Sequence, residues 1–164
     1  MITTVSKLKE YLKDFDIPKD YGIAVGCLIF TPENKVILLE RGLKAKDSFG
    51  KLEGVGGGVE KGEENLIDTA LREIKEEIGE VEVKIEKMLT IKMMPGNNNS
   101  FWVVIDYLAR LKNGTPQVIE PEKINKIHYL YLNEIEEDSL SKYQKVAMKK
   151  YKELYGDKPY WIEK

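Results

Sequence analysis

Three glutamates of one short segment, Glu73, Glu76 and Glu77, have the residue type and the spacing to hold a metal ion. Positions three and four apart are neighbours on a helix surface, so the three carboxylates would crowd one another. Crowded carboxylates repel and raise one another's pKa, and a bound divalent cation removes that cost. Oxygen-only ligands suit Mg²⁺ or Mn²⁺. Because an acidic helix is by itself more often a solvated surface, the metal interpretation depends on the surrounding pattern.

The glutamates are positioned by a predicted helix over Asn65–Ile78, which contains no proline and ends at Gly79. At about 100° per residue, one arc of this helix is apolar and is expected to pack on a core. The residues of this arc are Ile67, Ala70, Leu71, Ile74 and Ile78. The glutamates fall on another arc, which leaves them free for chemistry.

The stretch before the helix, Gly56–Glu64, is rich in glycine and predicts a loop. Two common phosphate-binding motifs fit it poorly. Gly57 and Gly62 have the Walker A spacing, but two glutamates follow instead of Lys-Ser/Thr. A dinucleotide fingerprint that starts at Gly54 has Val59 where its third glycine belongs. Both motifs are therefore rejected.

The loop and the helix together resemble the box of the Nudix hydrolase family, G-x5-E-x7-R-E-U-x-E-E-x-G-U, in which U is apolar. The positions that match at the required spacing are Gly58, Glu64, Arg72, Glu73, Ile74, Glu76, Glu77 and Gly79. The last box position departs from the pattern, because Glu80 stands where an apolar residue is expected.

A second alignment of the loop stays open. Family members often read G-K-W-E-L-P-G-G-G-V-E-x-G-E, and this chain follows that pattern closely from Gly50 onward. Under this alignment Gly57 and Glu63 take the box positions. The helix acids are unaffected, but which of Glu63 and Glu64 contacts Arg72 is left undecided.

The resemblance implies an enzyme that hydrolyses a nucleoside diphosphate linked to another group, by attack of water on phosphorus. Its implied cofactor is Mg²⁺ or Mn²⁺. The implied metal ligands are Glu73, Glu76, Glu77, the Gly57 carbonyl and a distal acid, Glu120. The implied catalytic residues are Glu73, Glu76 and Arg72, with Arg72 holding the acids by ion pairing.

Two further roles follow from the same resemblance. The general base is expected to be Glu73 or one of the distal acids Glu120 and Glu122, which precede a predicted strand. Substrate contacts are expected at Gly58 and at Arg41, which ends a predicted strand where relatives often touch phosphate. The polar loop 43–50 is expected near the mouth of the pocket.

The implied fold is an α+β, α/β/α sandwich with a mixed sheet between helices, and the resemblance covers Tyr21 to Tyr155. We expect one domain over residues 1–164. The predicted strands are 21–30, 35–40, 81–93, 101–111 and 127–132, with a bulge near Lys87. Residues 1–20 are expected to form a helical appendage for packing or dimerisation, and residues 139–164 a final helix and tail.

Composition narrows the class of protein. A net charge of −2 provides no electrostatic footprint for nucleic acid or membrane, so the expected partner is a small nucleotide. Cys27 is the only cysteine, which excludes an intrachain disulfide, and it lies in an apolar run typical of core packing. The polar start of the chain and the lack of a long apolar run favour a cytoplasmic protein without a membrane partner. The sequence does not determine the oligomeric state; the resemblance is compatible with a homodimer, because dimers are frequent in the family.

The alternative to an enzyme is a Nudix-fold module that senses a nucleotide without cleaving it. Such modules typically lack acids of the box, and this chain has all of them. The sequence does not choose among nucleoside triphosphates, ADP-ribose and other nucleoside diphosphate derivatives, because the loops that select the substrate have no readable signature.

Overall fold

The computed structural model describes residues 1–44 and 49–162. Lys46 and Asp47 of the expected pocket-mouth loop lie outside these residues. The principal helices and strands are α1 (Val5–Leu12), β1 (Gly22–Phe30), β2 (Val36–Arg41), β3 (Leu52–Glu53), β4 (Val55–Gly58), α2 (Leu66–Ile78), β5 (Glu82–Pro95), β6 (Phe101–Asn113), β7 (Ile124–Leu130) and α3 (Lys142–Tyr155). Two short 3-10 turns, Leu132–Glu134 and Glu137–Ser139, connect β7 to α3.

Within the described residues, the strands form one mixed sheet with β1 at its centre. The main order is β3-β2-β1-β6-β5, while β4 pairs with β1 and β7 pairs with β2. Strands β1 and β6 run parallel over their full contact, from Gly22 opposite Trp102 to Phe30 opposite Arg110. Such a mixed arrangement buries β1 on both faces, which explains its continuous apolar run.

The glycine-rich stretch was expected to be a loop, and this expectation is wrong for its first part. Residues Val55–Gly58 form strand β4, which pairs antiparallel with β1 from Ala24 opposite Gly58 to Cys27 opposite Val55. Glycine is usually depleted in strands, but it occurs where another group approaches the backbone closely. A side chain at Gly56 would overlap the backbone of Val25, so the close approach requires glycine here.

The sheet separates two apolar layers, which confirms the predicted sandwich. Alternate residues of β1 point to opposite layers: Cys27 and Ile29 belong to one, Leu28 and Phe30 to the other. Helices α1 and α2 cover the first layer, and α3 covers the second. The buried helical residues are Leu8, Leu12, Leu66, Ala70, Ile74 and Ile78 on one side, and Ala147, Met148 and Tyr151 on the other.

The N-terminal segment packs tightly on the layer that α2 covers. Leu8 and Leu12 are buried in that core. The backbone adds direct bonds to the start of α2, since Val5 N donates to Glu64 O at 2.9 Å and Leu66 N to Thr3 O at 2.8 Å. The hydroxyl of Tyr107 donates to Ile2 O at 2.8 Å. The segment therefore helps to position the first turn of α2.

The apolar arc predicted for α2 is correct except at Leu71, which is 41% exposed. Leu66, the first residue of the helix, is buried in the core although it was not assigned to this arc. The helix starts one residue later than predicted, because Asn65 is its N-cap and accepts hydrogen bonds from Ile67 N and Asp68 N. Gly79 ends it at φ 88°, as a C-terminal glycine does.

The C-terminal tail is attached to the sheet through Glu86, at a bulge of β5 between Ile85 and Lys87. Arg110 donates two hydrogen bonds to the Glu86 carboxylate, at 2.5 and 2.8 Å, and the Tyr160 hydroxyl donates a third at 2.6 Å. The Arg110 guanidinium also lies over the Trp161 ring, 4.9 Å from its centre. These donors, Arg110 first, lower the pKa of Glu86 to about 2.

Replacing Glu86 with Gln is expected to lower the free energy of unfolding at pH 7 by about 1.5–3 kcal/mol, the range for hydrogen bonds to a charged group. The folded pKa of about 2 lies below the ordinary 4.5, so the ionised carboxylate stabilises the fold above pH 4.5 and this contribution is lost as pH falls toward 2. Urea unfolding at pH 7 and pH 3 measures the difference. The exposed Glu82 of the same strand provides a control, E82Q, and an E86Q effect no larger than that of E82Q would contradict the prediction.

Candidate active site

Arg72 binds several of the acidic residues in and around α2. Its Nε and Nη2 donate to the two carboxylate oxygens of Glu63 at 3.0 and 2.9 Å. Its Nη1 donates to Glu73 at 2.9 Å and to Glu76 at 3.2 Å, and its Nη2 also reaches Gly58 O at 3.0 Å. The guanidinium, with Glu63 as its strongest partner, thus holds three carboxylates and the end of β4 in one arrangement.

The contact left open by the sequence is made by Glu63. Arg72 lowers the pKa of the Glu63 carboxyl to about 2. The next residue, Glu64, faces the N-terminal segment instead and accepts a hydrogen bond from Ser6 N at 3.0 Å. The turn fixes this choice, because Glu60 N donates to the Glu63 carboxylate at 2.7 Å while Glu63 N donates back to Glu60 O at 3.0 Å.

A comparison of E63Q with E64Q tests whether this contact supports the acids. We expect E63Q to reduce Mg²⁺-dependent turnover by roughly 10- to 100-fold, as is usual when a group that orients a metal ligand is lost. E64Q is expected to change turnover by less than about 3-fold, because the Glu64 carboxylate is bound to Ser6 at an exposed position and not to Arg72. Steady-state kinetics of both variants against wild type measure this, and equal losses would contradict the assignment.

Glu73 and Glu77 are the acids of α2 that the fold partly buries. Glu77 accepts a hydrogen bond from Gly56 N at 2.7 Å. Burial raises its pKa to about 8, and the nearby charge of Glu73 adds to this. Burial also raises the pKa of Glu73, against the opposing effect of Arg72. Gly57 packs directly on the Glu73 carboxylate, since a Cβ at this position would overlap it.

The chemistry of these donors fits a divalent cation. Among residues 1–44 and 49–162, no three acidic, histidine or cysteine side chains converge as a complete metal-binding group. Glu73 and Glu76 are instead paired with Arg72, and Glu77 with Gly56 N. Carboxylates whose pKa is raised by burial gain most from a bound cation, because the cation stabilises their ionised form. Hard oxygen donors are the ones that Mg²⁺ and Mn²⁺ prefer.

The NUDIX domain family model matches residues 20–151, which is most of the chain. The chain belongs to this family. Its fold is shared by the MutT NUDIX hydrolase from Burkholderia pseudomallei, with 24% identity and a TM-score of 0.68 over 80% of this chain and 98% of that chain. The NUDIX domain of Shewanella oneidensis NrtR, solved with ADP ribose, gives 20% identity and a TM-score of 0.66 over 88% and 96%. A NUDIX hydrolase from Nitrosomonas europaea gives 18% and 0.68 over 88% and 97%.

Membership of the Nudix family confirms the prediction of a hydrolase that acts on pyrophosphate bonds. Because the structural neighbours are less than 25% identical to this chain, they support its fold and nothing more specific. A comparison with curated proteins finds no match. None of the helices within the described residues has the length and apolar character needed to cross a membrane. The cytoplasmic location stays a prediction, and the oligomeric state stays open.

Of the two distal acids, the Nudix fold brings only one toward the box helix. The Glu120 side chain is 34% exposed, pairs with Lys123 at 3.1 Å and lies near enough to Glu77 to raise its pKa. Glu122 is exposed, and its backbone carbonyl accepts a hydrogen bond from Lys44 N at 2.9 Å. The geometry therefore favours Glu120 over Glu122 as the additional acid of the site.

Two cavities border the Nudix box. The larger, about 440 Å³, is lined by the β4 glycines, Arg41, Glu53, Lys92, Trp102, Asp106 and Tyr143, among others. The smaller, about 230 Å³, is lined by Leu39, Arg41, Lys44, Glu53, Gly54, Glu77, Lys123 and Ile124. Arg41 lies in both linings and donates to the Glu53 carboxylate at 2.6 Å. Gly58 lines the larger cavity, as its predicted substrate contact requires.

Sequence reasoning missed several residues of the larger cavity. Lys92 and Asp106 stand within long strands and are buried, with 7% and 6% exposure. Charged residues are rarely buried unless they are paired. One residue of each charge, Lys92 in β5 and Asp106 in β6, stands in an otherwise apolar part of two neighbouring strands, and this could have indicated a buried ion pair. Trp102 was assigned only to a strand, although it lies opposite Gly22 on β1 and lines the cavity.

Proposed function

We propose that this Nudix protein is a pyrophosphohydrolase, dependent on Mg²⁺ or Mn²⁺, that cleaves the diphosphate linkage of a nucleoside diphosphate derivative. One observation carries the proposal. The backbone of β4 contacts two partly buried acids, Glu77 through Gly56 N and Glu73 through Gly57, and the same strand lines the larger cavity. A substrate in that cavity is thereby placed next to residues suited to hold a divalent cation.

The residues that would hold the ion are Glu73, Glu76, Glu77, Glu120 and the Gly57 carbonyl. When bound, Mg²⁺ or Mn²⁺ would neutralise the diphosphate, activate a water and stabilise the leaving phosphate oxygen. Arg72 acts on the carboxylates rather than on the substrate, because its donors are directed to Glu63, Glu73, Glu76 and Gly58 O. Its role is to orient the acids.

Removal of the proton from the attacking water requires a carboxylate near the site. We assign this role to Glu73 or Glu120, and not to Glu122. Glu73 has a raised pKa, which makes its carboxylate a stronger base than an ordinary glutamate. Glu120 belongs to the same charged neighbourhood through its effect on Glu77.

Basic residues of the smaller cavity suit the phosphates. Lys44 and Lys123 line it together with Glu77, and Arg41 joins it to the larger cavity. Lysine and arginine neutralise phosphate charge, so a diphosphate bound beside Glu77 would have these cations within the same cavity. This arrangement leaves the larger cavity, which has Trp102 and Tyr143 in its lining, for the nucleoside.

The deciding experiment is nucleotide or phosphate release from a panel of nucleoside diphosphate derivatives, with Mg²⁺ and with EDTA. Wild type is compared with E76Q, and with E80Q as a control, because Glu80 is 83% exposed and pairs with Lys75. Metal-dependent turnover that is lost in E76Q and kept in E80Q is expected. Full turnover in E76Q would remove Glu76 from the site. Tight binding of one compound without turnover would instead favour a nucleotide sensor.

A further inference from the structure

The start of helix α3 is joined to the corner between β3 and β4. Gln144 lies in the first turn of α3 and is 8% exposed. Its Oε1 accepts a hydrogen bond from Gly54 N at 2.8 Å. Ser141, the N-cap of α3, donates its own N–H to Leu52 O at 3.1 Å. Two hydrogen bonds therefore tie this end of the helix to the residues on either side of Glu53.

The local sequence predicts a different partner for the Gln144 side chain. Ser141 and Gln144 have the Ser-x-x-Gln spacing of a capping box, in which the glutamine accepts the N–H of the N-cap residue. Only half of the box forms, because Ser141 Oγ accepts from Gln144 N at 3.3 Å while Ser141 N is bound to Leu52 O. The Gln144 side chain is thereby available to Gly54, and a contact between distant residues replaces the local one.

A buried ion pair holds this turn of α3 on the sheet. Lys92 Nζ donates to Tyr143 O at 2.8 Å and lies 2.9 Å from the Asp106 carboxylate. Lys92 belongs to β5 and Asp106 to β6, so both strands help to fix the residue next to Gln144. A side chain on such a rigid element positions its partner more precisely than one on a loop.

Strand β4 depends on contacts of this kind because it has few side chains of its own. Val55 is followed by three glycines, which can adopt many backbone conformations. Helix side chains bind the backbone at alternate residues: Gln144 at Gly54 N, Glu77 at Gly56 N and Arg72 at Gly58 O. The first belongs to α3 and the other two to α2, and these helices pack on opposite faces of the sheet. The strand is therefore held from both faces.

We propose that Gln144 is a positioning residue of the active site, which fixes β4 through Gly54 N and thereby fixes the acids of α2 that β4 contacts. The bond lies two residues before Gly56, whose N–H binds Glu77, and three before the glycine that packs on Glu73. Loss of the bond lets this glycine stretch shift relative to both acids. The effect on turnover rests on the proposed function, because it requires those acids to hold the ion.

Replacement of Gln144 by Met tests the role of the acceptor oxygen. Methionine has nearly the same length, but its thioether is at most a weak acceptor for Gly54 N. We expect Q144M to lower kcat roughly 10-fold or more at saturating Mg²⁺ and substrate, as loss of a group that orients metal ligands does. Q144E keeps an acceptor oxygen and is expected to recover most of the loss. Folded Q144M with the kcat of wild type, or Q144E no more active than Q144M, would overturn the proposal.

The matched control is Q117M, which makes the same change at the only other glutamine of the chain. Gln117 is exposed, and its backbone N–H, which the change retains, donates to Ile78 O at 2.9 Å. The kcat of Q117M should stay within about 3-fold of wild type. A loss in Q117M as large as that in Q144M would overturn the assignment to Gln144.

Amide hydrogen exchange, measured by NMR in EDTA, tests the positioning without turnover. Gly54 N–H should be protected in wild type, and its rapid exchange in the folded protein would overturn the contact even if Q144M does not fold. In Q144M, the amides of Gly54 and Gly56 should exchange roughly 10-fold faster or more. Leu108, fully buried in β6, reports global unfolding. Equal acceleration at all three amides would indicate only a loss of overall stability and would overturn the positioning role.

The positioning role and the proposed hydrolysis fail in different ways. Faster exchange confined to Gly54 and Gly56 in Q144M, with no Mg²⁺-dependent turnover in any protein including wild type, would contradict the hydrolysis and leave the contact of α3 with β4 standing. Equal Mg²⁺-dependent turnover in wild type and Q144M would support the hydrolysis and overturn the role of Gln144.

Discussion

Replacing Glu77 with Gln is expected to reduce Mg²⁺-dependent turnover by about 100-fold or more, the scale of losing a charged group that holds a catalytic metal ion. Glu77 lies in the smaller cavity and is bound to Gly56 N, so its oxygen is positioned by the strand that also carries the Gly57 contact to Glu73. An amide keeps the shape and one acceptor but removes the charge that a divalent cation needs. Initial rates over a range of Mg²⁺ concentrations measure the loss.

The stability of the same variant separates loss of function from loss of fold. The folded pKa of Glu77, about 8, lies above the ordinary 4.5, so the folded protein binds the extra proton. Without metal, wild type therefore loses stability as pH rises from about 4.5 to about 8, and E77Q should lack this loss. In EDTA at pH 8, E77Q should melt no lower than wild type, and Mg²⁺ should raise the melting temperature of wild type more than that of E77Q. An E77Q protein with full turnover would contradict the assignment of this ligand.

Gly57→Ala is expected to have the second largest effect, a loss of turnover of about 100-fold with the fold retained. A Cβ at this position would overlap all three carboxylate atoms of Glu73. Because these atoms are the end of a flexible side chain, the carboxylate can move aside at small cost to stability. It would then leave the place from which it holds the ion, and small displacements of catalytic groups cost much in rate.

Gly58→Ala provides the matched control for this variant. A Cβ at Gly58 would lie 3.8 Å from the Trp102 ring, an ordinary contact. Both changes add one methyl group to the same strand, so any general effect of alanine in β4 is shared. At saturating substrate, the kcat of G58A should stay within about 3-fold of wild type, while any loss of the substrate contact predicted at Gly58 would change its KM. If G57A were as active as G58A, the position of Glu73 next to Gly57 would not matter for catalysis.

Local patterns of the sequence were sufficient for the helix that carries the acids. Spacing of three and four residues placed Glu73, Glu76 and Glu77 on one arc, and Gly79 marked the end of the helix. The resemblance to the Nudix box identified the family and the sandwich, and periodicity identified β1, β5 and β6 with small changes at their ends. Each of these features depends on neighbours within a few residues, which a single sequence displays.

Other features were decided only by contacts between distant parts of the chain. Strand β4 is formed by pairing with β1. Its three glycines have low strand propensity, so the strand is not predicted from its own residues. The turn at Glu60 directs Glu63 to Arg72, and the distant N-terminal segment holds Glu64 away from it, since Ser6 N binds the side chain of Glu64 and Val5 N binds its backbone carbonyl. Residue types alone do not distinguish Glu63 from Glu64, because both glutamates are equally suited to bind arginine.

The sequence by itself determined that this protein has a Nudix box with its acids on one helix. The tertiary structure decided what stands around that helix: Glu120 rather than Glu122 near Glu77, and Lys92 paired with Asp106 in the larger cavity. The physical reason is that burial and pairing energies depend on which side chains meet across the sheet. These contacts depend on the register of the strands and on the packing of the helices against the sheet, which the spacing of residues within one segment does not specify.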